Sequence, residues 1–323
     1  MTRRLIVTLW IVAVCVSCAT TDPADTLTTS SRYLPRGKYS GNETGPTPVG
    51  AIPDVTVRDA ARNRDILISI EYPTRGGPHP LVVFSHEIGG SNRAYIGLSS
   101  YWTGNGYVVV RPSHGDRGNL ETQTETEFQG RVRDVLSVID NLDSLEQRFP
   151  ELQGKIDRTR IGVAGHGFGG QTALLLASDP RIKAVVAMAP YTRGVALEKM
   201  GVPTLFITDE KDDPFSLTPG SDKWHVAIER AHPVAFTGRY EAFTEAQARH
   251  EASRSAVADP ALAQQEQVRA TRIQTAMLRT QEMFGIVRAS ALAFFDAYLK
   301  GSAEGRTALE NMKERRGVTI ERR

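Results

Sequence analysis

Six short apolar runs constrain this chain more than any other feature of its sequence. They are Ile66–Tyr72 (I-L-I-S-I-E-Y), Leu81–Ser85 (L-V-V-F-S), Tyr107–Arg111 (Y-V-V-V-R), Ile161–Ala164 (I-G-V-A), Ala184–Met188 (A-V-V-A-M) and Thr204–Thr208 (T-L-F-I-T). Each is bounded by Gly, Pro, Asn or Asp, as strands buried in a sheet are. Between several of them lie stretches of helical period, such as Val132, Leu136, Ile139 and Leu142 at three- and four-residue spacing. Strands alternating with helices predict an α/β fold, with a mostly parallel central sheet covered by helices on both faces. Cys15 and Cys18 are the only cysteines, both at the extreme N-terminus, so neither a disulfide nor a cysteine metal cage holds the rest together. The core must come from apolar burial, for which 323 residues suffice. With 39 basic and 37 acidic side chains the net charge is +2, which excludes a nucleic-acid reader working by bulk charge.

The first residues, M-T-R-R followed by L-I-V-T-L-W-I-V-A-V-C-V-S-C, have the build of a secretory signal. The apolar run is shorter than the roughly 20 residues of a bilayer-spanning helix. V-S-C-A resembles the lipobox of bacterial lipoproteins, which implies removal of residues 1–17 and a lipid anchor on Cys18 in the membrane of the cell envelope. Cys15 stands where that box usually has Leu, and a plain cleaved signal is the alternative. Residues 18–53, rich in Thr, Ser, Gly and Pro, read as a flexible tether. The folded domain is expected over residues 54–304. Within it, 240–281 is expected to be helical and solvent-facing, placed as a cap over the cleft by analogy. Ile286–Leu299 is a strongly apolar helix stopped by Gly301. Residues 305–323 read as a basic, solvated tail.

The chemistry-bearing motif is G-H-G-F-G-G, Gly165 to Gly170, directly after the run Ile161–Ala164 and before Q-T-A-L-L-L-A. A strand, a glycine-rich sharp turn and a helix form the context of a nucleophile elbow, G-x-S-x-G. Here the central position is Gly167 instead of Ser. The spacing fits neither a phosphate-binding G-x-x-x-x-G-K-[ST] loop nor a dinucleotide G-x-G-x-x-G with its later acid.

Four segments together resemble the α/β-hydrolase superfamily, and within it dienelactone-hydrolase-like and platelet-activating-factor-acetylhydrolase-like esterases. They are P-L-V-V-F-S-H-E-I-G-G (Pro80–Gly90), G-Y-V-V-V-R-P-S-H (Gly106–His114), R-I-G-V-A-G-H-G-F-G-G-Q-T-A (Arg160–Ala173) and P-T-L-F-I-T-D-E-K-D-D-P (Pro203–Pro214). The resemblance covers Val55 to Gly301. It implies a carboxylic-ester hydrolase with a triad in the order Ser, acid, His. The acid then falls on Asp212, with Asp213 as its neighbour; a turn residue before Pro214 is the bland reading of Asp212. The base falls on His232, after the last expected strand Val226–Phe236; a loop histidine is its bland reading. His250, in a helical E-A-Q-A-R-H-E-A stretch, is the rival. The oxyanion hole would combine the backbone N–H groups of Ile88 and Phe168. Relatives usually carry Gly after the loop histidine, whereas this chain carries Glu87, a charge that opposes a developing oxyanion unless it points away or is paired.

Without a hydroxyl at residue 167 no acyl-enzyme forms there, and loss of a triad nucleophile lowers turnover by about a million-fold. Ser85 reads as a backbone-capping residue at its strand end, Ser91 as a helix start and Ser113 as a loop serine; none has a visible base and orienter in the sequence. His86, Glu87, His114 and Asp116 match no metal-ligand spacing and read as chance loop polarity. No metal or cofactor is called for. Three functions follow: a catalytically impaired hydrolase binding an ester- or lipid-like ligand, a working ester hydrolase in which His232 and Asp212 activate water, and a structural envelope protein with a vestigial pocket.

Overall fold

The computed structural model describes residues 37–115, 125–209, 214–220, 222–231, 234–237 and 260–323. Its strands are β1 (Val49–Asp59), β2 (Arg64–Pro73), β3 (His79–Ser85), β4 (Val108–Pro112), β5 (Ile156–His166), β6 (Ile182–Met188), β7 (Thr204–Asp209), β8 (Lys223–Ile228) and β9 (Val318–Arg322). They form one sheet in the order β1-β2-β4-β3-β5-β6-β7-β8-β9. The strands β4, β3, β5, β6, β7 and β8 run parallel, while β2, β1 and β9 add antiparallel edges. This is an α/β-hydrolase fold, and each of the six apolar runs lies wholly or mostly in a strand.

The reason the runs are continuously apolar is visible in β6. Successive side chains point to opposite faces; Val185 and Ala187 join one core, Val186 and Met188 the other, all at 0 % exposure. On the first face lie α2 (Glu125–Asp140), α3 (Leu142–Arg148) and α4 (Phe168–Leu175), burying Val135, Val138, Leu142, Ala173 and Leu174. On the second lie α1 (Ile96–Gly104) and α5 (Pro260–Leu299), through Leu98, Trp102, Leu292 and Phe295. Trp102 and Phe295 meet edge to face at 5.4 Å. The helical period read through Val132–Leu145 is broken at Asn141, which separates α2 from α3. Residues 260–281 and Ile286–Leu299 are parts of one helix, α5, and the described side chains before Thr280 are exposed. Residues 240–259 lie outside the described residues. Among those described, no helix is long and apolar enough to cross a membrane.

Three expectations are corrected. The tether does not run to residue 53, because β1 begins at Val49 and residues 38–40 are already anchored. Tyr39 is buried and its hydroxyl donates to Asp296 at 2.9 Å, while Arg315 donates to the carbonyls of Tyr39 (2.6 Å) and Ser40 (3.1 Å). A few polar contacts to residues more than 250 positions away leave no mark in local composition. Likewise, 305–323 is not a free tail. It contains the helix α6 (Ala303–Glu310 in full) and then β9, whose pairing with β8 extends the sheet. Its charges are compatible with that packing because guanidinium planes lie on rings: Arg322 over Trp224 at 4.8 Å and Arg323 over Phe215 at 4.7 Å. Finally, β8 ends at Ile228 and is followed by β9, so the strand expected over Val226–Phe236 is shorter and is not the last; Val234–Thr237 is a helical turn.

Asp296 ties α5 to both the N-terminal segment and the sheet. Its carboxylate, 0 % exposed, pairs with Lys38 at 2.6 Å and Lys300 at 3.1 Å, and accepts from Tyr107 at 2.7 Å as well as from Tyr39. Burial pushes this carboxyl up, but Lys300 and Lys38 outweigh it and hold it below its ordinary value. Removing one partner of a buried ion pair costs about 3–5 kcal/mol, because the charges left behind stay desolvated. Asp296→Ala is therefore expected to lower the unfolding free energy by about that amount in a urea titration, with Asp296→Asn intermediate.

Candidate active site

The turn from β5 into α4 is set by its glycines. Gly167 has φ 55° and ψ −112°, a backbone that side-chain-bearing residues adopt only under strain. A Cβ on Gly165 would collide with the carbonyl of Gly169, and one on Gly169 with the carbonyl of Ser85. The turn is thus wedged against the end of β3. It is pinned to β6 on the other side, since the Gly167 N–H donates to the Met188 carbonyl at 2.8 Å. This is the elbow expected from G-H-G-F-G-G.

The wedge brings the two expected oxyanion donors together. The N–H of Ile88 donates to Oε1 of Glu87 at 2.6 Å, and the N–H of Phe168 donates to the same oxygen at 3.1 Å. Glu87 neither points away nor lacks partners: its carboxylate lies between the two expected donors, at the N-terminus of α4 where the helix dipole favours an anion. Its other oxygen occupies the space above the elbow. A Cβ built on Gly167 would overlap Oε2 of Glu87, well inside van der Waals contact. The two departures from the hydrolase pattern, glycine at 167 and glutamate at 87, are one steric unit. Glu87 faces a cavity of about 560 Å³ whose lining includes Ile88, Ser91, Arg93, Tyr95, Ile96 and Thr237. Burial, and after it the charge of Glu87, pushes the Tyr191 phenol above its ordinary value.

Asp212, Asp213 and His232, the expected acid and base, lie outside the described residues, as do Cys18, Asp116 and the rival His250. Ser91 accepts the Arg93 N–H at 3.3 Å. Ser113 donates its backbone N–H to the Leu67 carbonyl at 2.7 Å. Ser85 is not a simple backbone cap. Its hydroxyl hydrogen-bonds Nε2 of His114 at 2.9 Å, and Nδ1 of His114 meets Asp134 at 3.0 Å. An orienter for this pair, not visible in the sequence, comes from α2, on the buried stripe of Arg131, Asp134, Val135 and Val138 that lies beside the expected one of Val132, Leu136 and Ile139. Asp134 also pairs with Arg62 at 2.7 Å and Arg64 at 3.0 Å. Burial pushes its carboxyl up against the pull of those guanidinium groups. The residue order of a catalytic relay is present, but Ser85 is 2 % exposed and the His114 and Asp134 side chains 0 % and 1 %. What the chain does is support the loop that carries Glu87. The His114 N–H donates to His86 at 3.3 Å, and Arg131 donates to the His86 carbonyl at 2.8 Å while lying 4.9 Å over the Phe168 ring. Both ring nitrogens of His114 are taken by Ser85 and Asp134, and those of His86 by the His114 N–H and the Glu87 carbonyl, so neither imidazole is set up as a metal ligand. The signal for this network was Arg131 and Asp134, three apart on the inward stripe of α2 with Phe128, Val135 and Val138.

Comparison with known proteins gives the same frame. A family model described as PET hydrolase-like matches residues 103–233. The platelet-activating factor acetylhydrolase of Cavia porcellus is 24% identical over 207 residues, 50% of this chain and 47% of that protein. Cutinase est2 of Thermobifida alba is 26% identical over 162 residues, 50% of this chain and 51% of the relative. Cutinase cut1 of Thermobifida fusca is 25% identical over 146 residues, covering 45% and 43%. The chain spans about half the length of the relatives it matches. It resembles esterases of the α/β-hydrolase superfamily in sequence as well as in fold.

The elbow histidine offers a pH test of this region. His166 is buried, stacks on Phe236 at 5.1 Å and hydrogen-bonds the Tyr95 hydroxyl through Nδ1 at 2.8 Å. Burial pushes its imidazole down from 6.5 to about 4. A depressed histidine binds its proton more readily when unfolded, so the stability it contributes is full above pH 6.5 and falls as the pH drops towards 4. At 1.36 kcal/mol per pH unit the loss is about 3 kcal/mol. Guanidinium titrations at pH 7 and pH 4 are expected to show that slope in the native protein and a shallower one in His166→Gln.

Proposed function

We propose that this chain is an exported α/β-hydrolase-fold protein of the carboxylic-ester hydrolase type in which acyl-ester turnover at the elbow is blocked. The observation that carries the reading is the Glu87 carboxylate, whose Oε1 holds both oxyanion-hole N–H groups while Oε2 takes the space of a residue-167 side chain. A hydrogen bond to a charged group contributes about 1.5–3 kcal/mol. A neutral ester carbonyl must displace two of them to enter the hole, and offers weaker acceptance in return. Activation of water by His232 and Asp212 meets the same obstacle, because the hole that would stabilise its tetrahedral intermediate is filled. The cavity beside Glu87, with Ile88, Tyr95 and Ile96 on its wall, suits the apolar part of an ester- or lipid-like ligand. In this reading the lipobox-like segment places the domain at the cell envelope through Cys18, and labelled palmitate is expected on the native chain and absent from Cys18→Ala in a bacterial host.

The block is tested on p-nitrophenyl butyrate with four proteins: native, Gly167→Ser, Glu87→Gly and the double variant. The native protein and both single variants are expected near background, since Ser at 167 collides with Glu87 and Gly at 87 leaves no nucleophile. The double variant is expected to gain about a thousand-fold or more, within the roughly million-fold that a triad nucleophile is worth. Rapid turnover by the native protein that disappears in His232→Ala would overturn the reading.

A further inference from the structure

The carboxylate that blocks ester cleavage is itself arranged as a nucleophile of a different kind, and we propose that Glu87 attacks a saturated carbon bearing a leaving group, such as a primary alkyl halide. This goes beyond the blocked acyl-ester reading, although it uses the same side chain. Three observations carry it. First, the carboxylate is fixed: Oε1 is held by the N–H groups of Ile88 and Phe168 at 2.6 Å and 3.1 Å. Its direction is therefore preset, and little ordering is left for the moment of reaction. Second, Oε2 lies over Gly167, in the position that a nucleophilic side chain on the elbow would take. Third, Glu87 is partly exposed and faces the 560 Å³ cavity, whose wall sets Ile88 and Tyr95 beside Ser91, Arg93 and Thr237 and leaves room for a small alkyl group next to the carboxylate.

The chemistry of a carboxylate selects the substrate class. Attack on an acyl ester would yield a mixed anhydride, a less stable product, by expelling an alkoxide that is a stronger base than the carboxylate. Attack on a saturated carbon yields an ester and expels a weaker base. In the first step an Oε2 lone pair forms a bond to the carbon, and the leaving group departs with the electron pair of the broken bond. The result is an alkyl ester of Glu87. In the second step a water oxygen attacks Cδ and the carbonyl pair moves onto Oε1. That oxygen already sits between the two N–H donors, so the developing charge is met without rearrangement. The intermediate collapses by breaking the Cδ–Oε2 bond. Oε2 leaves with the alkyl group and takes one proton as the alcohol, and the second proton of the water passes to solvent. The net change is R–X plus water giving R–OH, a proton and X⁻. An oxyanion hole filled by its own carboxylate, which defeats acyl transfer, is what the hydrolysis of this ester requires.

The oxygen bookkeeping gives a test that a merely structural Glu87 does not move. The full chain is incubated with 1-bromobutane in ¹⁸O-water, with bromide release followed and the protein digested for mass spectrometry after a single turnover. Expected are bromide release above buffer, a butyl increment on the peptide containing Glu87 at early times, and ¹⁸O in the Glu87 carboxylate while the first butanol formed carries ¹⁶O. Glu87→Gln, which keeps the shape and a weaker acceptor for the two N–H groups, is expected to lose all three signals while still unfolding in one cooperative transition at a somewhat lower temperature. Bromide release no faster than that of Glu87→Gln overturns the proposal. So does ¹⁸O appearing in the first butanol with none in Glu87, which would make Glu87 a base towards water. The isotope result stands on the native protein alone, so it decides the matter even if Glu87→Gln does not fold. A gain of esterase activity in the Glu87→Gly, Gly167→Ser double variant together with no alkylation would leave the ester block intact and defeat only this inference.

Discussion

The close approach of three backbone segments at the elbow is the constraint on which the site depends. Gly165, Gly167 and Gly169 let the β5–α4 turn press on the end of β3 and hang from the end of β6. Any side chain at 165 or 169 would force these apart, and the N–H of Phe168 would then no longer point at the loop after β3. Because parallel strands carry their loops at the same end, the sheet delivers the β3 loop, the elbow and the β6 loop to one place. The hole is a by-product of that packing. It exists whether or not residue 167 carries a hydroxyl.

What occupies the hole is decided by volume. Gly167 leaves the space that Glu87 takes, and Oε1 of Glu87 accepts the two N–H hydrogen bonds that, in the proposed reading, a reacting ester would otherwise receive. Either change alone makes a poor site: glutamate with a side chain at 167 overlaps, and glycine at 167 without glutamate leaves an oxyanion hole without a nucleophile. In the proposed reading, their pairing moves the reactive atom from the elbow to the loop after β3. The electrostatics favour the result, since a carboxylate at the start of α4 meets the positive end of the helix dipole.

Beneath the loop, charges are held inside an apolar layer. Asp134 sits on the inward face of α2 with Arg62, Arg64 and His114 around it, and the chain continues through Ser85 and Arg131 to the backbone of His86. Burying these groups is unfavourable one by one and tolerable only as a connected set. The set fixes the strand end from which Glu87 projects. Asp296 does the corresponding work at the far face, binding Lys38, Lys300, Tyr39 and Tyr107 into α5. In both places one carboxylate joins segments far apart in the chain.

The periodic features were legible without coordinates. Continuous runs such as Ala184–Met188 announce a strand buried on both faces, and G-H-G-F-G-G after such a run announces the elbow, because strand geometry and tight turns are properties of a few neighbouring residues. The donors Ile88 and Phe168 followed from what the resemblance to α/β-hydrolases implied. The polar networks did not, since Asp134 and Asp296 look like ordinary helix residues until the fold shows what they face. Nor did the anchoring of residues 38–40, whose partners lie more than 250 positions away, or the pairing of β9 with β8 across 90 positions or more. The sequence by itself determined that residue 167 has no nucleophile and that residue 87 bears a charge. Only the tertiary structure decided that the charge fills the gap, because the overlap of Oε2 with a side chain at 167 depends on how β3 and β5 lie side by side.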